Sequence, residues 1–277
     1  MAIKDLAIAY NGNANADNAL RVALQMSHAH DAEITALHVH APLQTESRIA
    51  RWASKEVLDK LRETDALAIE ETENRFRDLI AAEGNGKSAE WLVETGPANE
   101  HLSRMARYHD LLLIGQCSEP GEKRSRVRAE DLVVRMGRPL LLVPADYQPR
   151  PFNGHAVVAW DGSRPASRAL SDAMQILETE KRIDVVTVGT KPPADEGEAA
   201  ELPIIRHLRR HGVSAERIFL EAGKDSVGRT ILDYCKKADP DFLVMGAYNH
   251  ARLREDLFGG VTHDILTRTT VPVLLSH

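Results

Sequence analysis

The feature that most constrains this 277-residue sequence is that one order of predicted elements occurs twice. Near the start, the apolar run Asp5 to Ala9 precedes the turn residues Asn11 to Asn13 and a helical pattern. Half a chain later, Ala156 to Trp160 precedes Asp161-Gly162-Ser163 and a second helical pattern with Pro165 in its first turn. Because a repeated order of elements marks a repeated structural unit, the sequence predicts two copies of one unit.

Each copy alternates apolar strands with helices. The predicted strands are Asp5–Ala9, Glu33–His40, Glu90–Glu94, Leu111–Gly115, Leu140–Pro144, Ala156–Trp160, Asp184–Val188, Arg217–Glu221, Phe242–Gly246 and Pro272–Leu275. The predicted helices cover Asp17–His30, Ser47–Glu83, Asn99–Tyr108, a segment after Ser163, Glu198–His211, Ser226–Lys237 and Val261–Thr269. Strands that are rich in Val, Ile and Leu on both faces favour parallel sheets covered by helices. We therefore expect an α/β protein with two domains, residues 1–147 and 152–277, joined by a linker stiffened by Pro149 and Pro151.

Composition excludes several classes of protein. The net charge of −6 offers no overall basic surface for a phosphodiester backbone, so we expect no nucleic-acid partner. The apolar runs are only as long as strands, and the first residues do not resemble a signal peptide, so we expect no membrane span. The two cysteines, Cys117 and Cys235, form no disulfide framework, which favours a cytoplasmic protein.

The segment from Gly246 to Thr262 carries the clearest chemical signal. It leaves a predicted buried strand and enters a helix through Gly259-Gly260, so the N–H groups of Gly260, Val261 and Thr262 and the helix dipole form an anion site. His250 and Arg252 could supply positive charge. Asp161 could accept a hydrogen bond from a sugar hydroxyl or an adenine amine. The pattern predicts a nucleotide phosphate, while glycines that only make turns in a fold without ligand stay open as the alternative.

These residues resemble the universal stress protein family. Asp161-Gly162-Ser163 matches the end of the family's first strand, and Gly246 and Gly259 match its glycine pattern after the fourth strand. Asn249 stands at the position of the second glycine, and asparagine tolerates the left-handed backbone conformation that a glycine adopts there. Gly260 stands where the family has Ser or Thr, and Thr262 lies two residues further on. The ending, Thr269 to Leu275, is also similar, so the whole chain resembles a tandem member of the family.

The resemblance implies two flavodoxin-like domains, each a five-stranded parallel sheet of order 3-2-1-4-5, that pair through their last strands into an intramolecular pseudo-dimer. A homodimer of whole chains stays open. It also implies ATP, with Mg²⁺, in some members, without a strong catalytic apparatus. The residues assigned to the nucleotide on this basis are Asp161, Val186, Val188, Gly246, Asn249, His250, Arg252, Gly259, Gly260, Val261 and Thr262. We assign no catalytic residue and no metal ligand, and any ATP hydrolysis would be slow.

The first half departs from the family pattern. Asn11 stands in place of the aspartate, and no second glycine pair follows Gly115, although the loop from Lys123 to Arg128 is basic. We expect a degenerate domain that does not hold ATP in the family manner. Cys117 is either a redox thiol or a spectator, and Cys235 is predicted to be part of the core.

Two functions remain open from the sequence. One is a nucleotide-binding regulatory protein of the stress response that uses the second half. The other is a stress adaptor that binds no nucleotide, or another small molecule, and acts through protein contacts.

Overall fold

The computed structural model describes residues 3–40, 54–116, 127–190, 203–223, 225–248 and 260–277. The described elements of the first half are β1 (Asp5–Ala9), α1 (Ala14–His30), β2 (Glu33–His40), α2 (Lys55–Glu83), β3 (Ala89–Thr95), α3 (Ala98–Met105) with a 3₁₀ turn (Ala106–Tyr108), β4 (Leu111–Gly115), α4 (Ala129–Met136) and β5 (Leu140–Val143). Those of the second half are β6 (His155–Ala159), α5 (Arg164–Leu177), β7 (Arg182–Gly189), α6 (Pro203–Arg210), β8 (Ala215–Glu221), α7 (Val227–Ala238), β9 (Phe242–Gly246), α8 (Gly260–Arg268) and β10 (Val273–Ser276).

All ten strands form one sheet in the order β3-β2-β1-β4-β5-β10-β9-β6-β7-β8. Within each half the neighbouring strands are parallel and follow the order 3-2-1-4-5, as predicted. The halves meet where β5 and β10 run antiparallel, with Leu141 opposite Leu274. The two five-stranded parallel sheets are therefore joined into a single mixed sheet, and the predicted pairing through the last strands is confirmed.

The core lies on both faces of this sheet. Along β1, Leu6 and Ile8 pack into one buried cluster and Ala7 into the other, because successive side chains of a strand point to opposite faces. The first cluster also takes the buried side chains of α1, α2, α5 and α6, and the second takes those of α3, α4, α7 and α8. Helices therefore cover both faces, which explains why the central strands are apolar throughout. Cys235 is buried in the second cluster, as predicted.

The two repeats begin their first helices in the same way. The side chain of Asn13 accepts a hydrogen bond from the N–H of Ala16, and Ser163 does the same for Ala166. Both are N-cap residues of the kind that satisfies a free N–H group in the first turn of a helix. The repeat is therefore visible in capping as well as in strand order.

Two helices of the first half differ in extent from the sequence predictions. No helix was predicted between Leu111–Gly115 and Leu140–Pro144, yet the eight-residue helix α4 lies there, with Leu132, Val133 and Met136 buried. The long helix predicted over Ser47–Glu83 is confirmed from Lys55 onward, and residues 47–53 lie outside the described residues. Within the described residues, no helix has both the length and the apolar character that crossing a membrane requires.

Candidate functional site

The candidate site lies at the carboxyl edge of the second half's strands. β6 pairs with β7 on one side and with β9 on the other. The helix after β6, α5, packs on one face of the sheet and the helix after β9, α8, on the opposite face. Ligands in parallel sheets bind where the connections diverge to opposite faces in this way. The fold therefore brings Asp161 and Gly246, which follow or end these neighbouring strands, to one edge.

Asp161 forms the turn that leads from β6 to α5. Its Oδ1 atom accepts a hydrogen bond from the N–H of Ser163 at 2.9 Å, and Gly162 between them has a φ of +75°. The side chain of Asp161 is exposed at the edge of the sheet. A carboxylate is the kind of group that accepts hydrogen bonds from a ligand hydroxyl or amine.

The two valines assigned to the site in β7 differ in environment. Val186 is buried, and its carbonyl already accepts a hydrogen bond from the N–H of Trp160 at 2.8 Å. Val188 is half-buried, and its peptide groups point to the same side of β7 because it lies two residues further along the strand. Since β6 ends at Ala159, the peptide groups of Val188 face the space past the end of that strand. Of the two, Val188 is the one whose backbone lies toward the candidate site.

Gly246 allows β9 to pass against the start of α5. A Cβ atom at this position would collide with the backbone nitrogen of Ala166 and the carbonyl carbon of Pro165. Gly115, at the end of β4, has the same relation to the backbone of Asn15 in the first half. Both glycines are therefore required by close packing of backbone on backbone, whether or not a ligand binds.

The N-terminus of α8 faces the same edge. Gly260 is exposed, and a Cβ atom built on it would meet no other atom within 4 Å. Val261 is half-buried against the core, while Thr262 is buried and its Oγ1 atom accepts a hydrogen bond from the N–H of Tyr248 at 3.3 Å. The first turn of α8 therefore combines an exposed glycine with a hydroxyl that holds Tyr248, two residues after β9.

Tyr248 is a residue of this edge that the sequence analysis did not select. It has a φ of +56°, a left-handed conformation that is costly for a bulky residue, and the bond to Thr262 helps to hold it there. Burial, and then the nearby Glu130 and Asp131 at the start of α4, raise its pKa to about 12. Tyr248 thus lies beside a helix of the first half.

Four of the assigned residues, Asn249, His250, Arg252 and Gly259, lie outside the described residues. So do Cys117 and the loop from Lys123 to Arg126. Their assignments stay predictions from the sequence.

The first half has a cleft at the corresponding edge, with a volume of about 490 Å³ that includes the solvent at its mouth. It is lined by Ala9, Tyr10, Asn11, Asn13, Ala16, Leu37, Val39, Ala98, Leu102, Ile114, Gly115 and Val127. Asn11 occupies the position that Asp161 holds in the second half, so the lining presents an amide instead of a carboxylate there. No binding residue was predicted in this half, because Asn11 stands in place of the aspartate and no second glycine pair follows Gly115.

A buried hydrogen-bond network supports the floor of this cleft. The hydroxyl of Tyr10 donates to Asp17 at 2.6 Å, and the guanidinium of Arg75 in α2 donates to the same carboxylate at 3.0 Å. Burial and the adjacent carboxylate raise the pKa of Tyr10. Because the carboxylate is satisfied by two donors, Tyr10 is fixed in position and serves the structure of the cleft.

Comparison with known proteins identifies the family. The model of the universal stress protein family matches the chain twice, over residues 2–126 and 153–277. The chain belongs to this family. The two repeats are therefore tandem universal stress protein repeats, as the motifs around Asp161 and Gly246 predicted.

Individual proteins resemble the chain in sequence or in structure. A universal stress protein from Synechocystis sp. is 25% identical over 193 residues, which make up 68% of this chain and 65% of that protein, so the chain covers just under two thirds of its relative. A universal stress protein structure from Archaeoglobus fulgidus has a TM-score of 0.74 at 16% identity, covering 99% of this chain and 97% of its own. A Pseudomonas aeruginosa protein described as functionally unknown has a TM-score of 0.61 at 14% identity, covering 99% and 92%. These structures share the fold over the whole chain.

Proposed function

We propose that the second half binds an adenine nucleotide at the carboxyl edge of β6, β7 and β9, and that the protein thereby acts as a regulator in the stress response. The observation that carries the proposal is the exposed Gly260 at the start of α8, at the same edge as the carboxylate of Asp161. Free N–H groups at a helix N-terminus attract phosphate, and a carboxylate accepts hydrogen bonds from ribose or adenine. Membership of the universal stress protein family supports the choice of ligand, because the family resemblance implies ATP in some members.

In this proposal the phosphates lie against the N–H groups of Gly260, Val261 and Thr262. The absence of a side chain at Gly260 lets an anion approach the backbone closely. Gly259, Asn249, His250 and Arg252 belong to the sequence segment that leads into this turn. Gly259 and Asn249, which stand at positions of the glycine pattern, would shape the loop. His250 and Arg252 would supply positive charge to the phosphates.

The adenosine part would lie beside Asp161 and β7. The peptide groups of Val188 face the space past the end of β6, whereas the carbonyl of Val186 is occupied by Trp160. We therefore assign Val188 to backbone contact with the ligand and Val186 to the wall beneath it. ATP would bring Mg²⁺ with its phosphates, and the proposed activity is binding in the cytoplasm without rapid hydrolysis.

The test is isothermal titration of ATP and AMP into the full-length chain after any co-purified ligand has been removed. Gly260→Glu adds a carboxylate where the phosphates would lie, and we expect it to weaken ATP binding about ten-fold or more through like-charge repulsion. Gly260→Gln adds the same bulk without the charge and is the matched control. Neither change should disturb the fold, since the Cβ direction is open and negative charge is favourable at a helix N-terminus.

A second pair of variants tests Asp161. Asp161→Asn keeps an oxygen to accept the N–H of Ser163, whereas Asp161→Ala removes it. If the carboxylate binds the nucleotide, both variants weaken binding about ten-fold, because a hydrogen bond to a charged group is worth more than a neutral one. Wild-type protein that binds neither ATP nor AMP would overturn the proposal and favour the adaptor that binds no nucleotide.

A further inference from the structure

The helix α8 is bound at its C-terminal end by a side chain from the other half of the chain. The Nε2 atom of Gln116, which follows β4, donates a hydrogen bond to the carbonyl of Leu266 at 2.6 Å. Since α8 ends at Arg268, the carbonyl of Leu266 is one of the last four of the helix, which have no partner within the helix itself. Gln116 therefore caps the C-terminus of α8 from outside its own half.

Gln116 is itself held firmly. Its Oε1 atom accepts the N–H of Ala145 at 3.2 Å, and its backbone carbonyl accepts the side-chain amide of Asn15 at 2.7 Å. Reversing the side-chain amide would place its oxygen against the carbonyl of Leu266 and its NH₂ against the N–H of Ala145, so only one orientation satisfies both partners. The cap is therefore fixed by elements of the first half.

A short helix depends strongly on such contacts. α8 has nine residues, and helices shorter than about 12 residues are marginal without tertiary support. Within its own half, α8 packs closely on α7, where a Cβ atom on Gly228 would lie 2.8 Å from the Cβ of Asp264. Gln116 adds a donor at the negative end of the helix dipole, where a donor is favourable.

The repeat has no equivalent of this cap at the corresponding position of the second half. Ala247 corresponds to Gln116, since each follows the glycine that ends its strand and each donates its N–H to the last strand of its half, to Ser276 and Val143 respectively. Ala247 is fully buried and has only a methyl group, which cannot donate to α4. The bond is therefore one-sided, and it runs from the first half to α8.

We propose that Gln116 is a positioning residue through which the first half holds α8, and with it the phosphate-binding turn of the second half, in place. This inference rests on the proposed nucleotide site, because the turn at Gly260 lies about 9 Å along the helix from Leu266. The first half thus contributes to binding in the second half without touching the ligand.

Two variants of the full-length chain separate the bonds of Gln116. Gln116→Glu keeps an oxygen to accept the N–H of Ala145 but places a carboxylate against the carbonyl of Leu266. Gln116→Lys keeps a donor for Leu266, favourable at a helix C-terminus, but loses the acceptor for Ala145. Asn18→Ala is the control, because Asn18 contacts Ala145 in the same region and makes no bond to α8.

The readouts are hydrogen exchange of the backbone amides of α8 without nucleotide, and the affinity for ATP. For Gln116→Glu we expect exchange of α8 to be about five- to ten-fold faster and ATP binding to be weaker by a similar factor, as for the loss of one hydrogen bond with added repulsion. Gln116→Lys and Asn18→Ala should stay within about two-fold of wild type in both measurements.

The outcomes distinguish this inference from the proposed function. Equal effects of Glu and Lys, or unchanged exchange of α8 in Gln116→Glu, would overturn the inference even if ATP binds. Faster exchange with unchanged ATP affinity would also overturn it, since the cap would then not reach the site. If wild-type protein binds no nucleotide, the proposed function fails, and the exchange data alone then support or refute the cap.

Discussion

Replacing Glu180 with glutamine should stabilise the protein at alkaline pH and leave it almost unchanged at acidic pH. Glu180 follows α5 and is partly buried, and its Oε2 atom has no hydrogen-bond partner among the described residues. Burial, and then the negative charge of Asp241, raise the pKa of Glu180 to about 7. Asp241 cannot move away, because its carboxylate accepts the backbone N–H groups of Asn153 and Gly154 at 2.7 and 2.8 Å. Glu180 is therefore held in a place that disfavours its charge.

The direction follows from proton linkage. The unfolded chain releases the proton of Glu180 near its ordinary pKa of 4.5 and the folded chain near 7, so the free energy of unfolding falls as the pH rises between these values. That difference corresponds to about 3 kcal/mol at most. Because the side chain is only partly buried and solvent screens it, we expect about 1.5 kcal/mol. Glutamine carries no charge, so Glu180→Gln should recover this amount above the upper pKa and nothing below the lower one.

The assay is urea unfolding of wild type and variant at about pH 5 and about pH 8, with stability taken from the linear extrapolation. Glu178→Gln is the matched control, since Glu178 lies two residues away on the same turn and is exposed. It should change stability little at either pH. Equal stability changes for Glu180→Gln at the two pH values, or a loss of stability at pH 8, would show that Glu180 is not strained by its charge.

Two further substitutions test a close backbone contact and a buried carboxylate. Gly246→Ala should destabilise the protein by about 2 kcal/mol in thermal or urea unfolding, because its methyl group collides with the backbone of α5; Gly223→Ala, where a Cβ meets nothing within 4 Å, is the control and should be neutral. Asp184→Asn should cost about 3 kcal/mol at neutral pH in the same assay, because Asp184 is fully buried and accepts bonds from Tyr234, Arg182 and His155. Burial alone would raise the pKa of Asp184, but those bonds outweigh it and lower the pKa, so this contribution should fade as the pH drops below the ordinary carboxyl range. A cost at Gly223 equal to that at Gly246, or no pH dependence for Asp184→Asn, would contradict these explanations.

Most of the fold could be predicted because its signals are local. The apolar runs that became β4 and β9 are buried throughout, and the caps at Asn13 and Ser163 mark where helices begin. The prediction of α4 failed because that helix is short and follows a basic stretch, although Gly137 with a φ of +68° ends it in the usual way.

The candidate site was only partly predictable for the opposite reason. Asp161 and Gly246 each belong to a short motif at the end of a predicted strand, so the sequence alone predicts that both lie at the carboxyl edge of the sheet. Tyr248 and Gln116 act through contacts between the halves, and Gln116 meets its partner 150 residues away. No periodicity or spacing in one segment reports a contact of that kind, so these two residues could be found only from the structure.

The features that the two halves share are contacts of the backbone. Gly115 and Gly246 are both needed for the same close approach, and the residues after them make the same hydrogen bond to the last strand of their half. A side chain at either glycine would disturb the same backbone contact in its half. The shared contacts explain how the two halves keep one fold, and they give no reason for the halves to have the same ligand.

The side chains that differ between the halves lie at the edge where ligands bind and at the contact between the halves. Asn11 presents an amide where Asp161 presents a carboxylate, so the corresponding edges of the two halves differ in charge at one point. Gln116 caps α8, whereas Ala247, at the equivalent position, has only a methyl group. These two differences agree with the proposals made above, in which the second half binds the nucleotide and the first half holds α8 in place. This division of work predicts that damage to the first half's Gln116 weakens a site it never touches, which an arrangement of two independent domains would not produce.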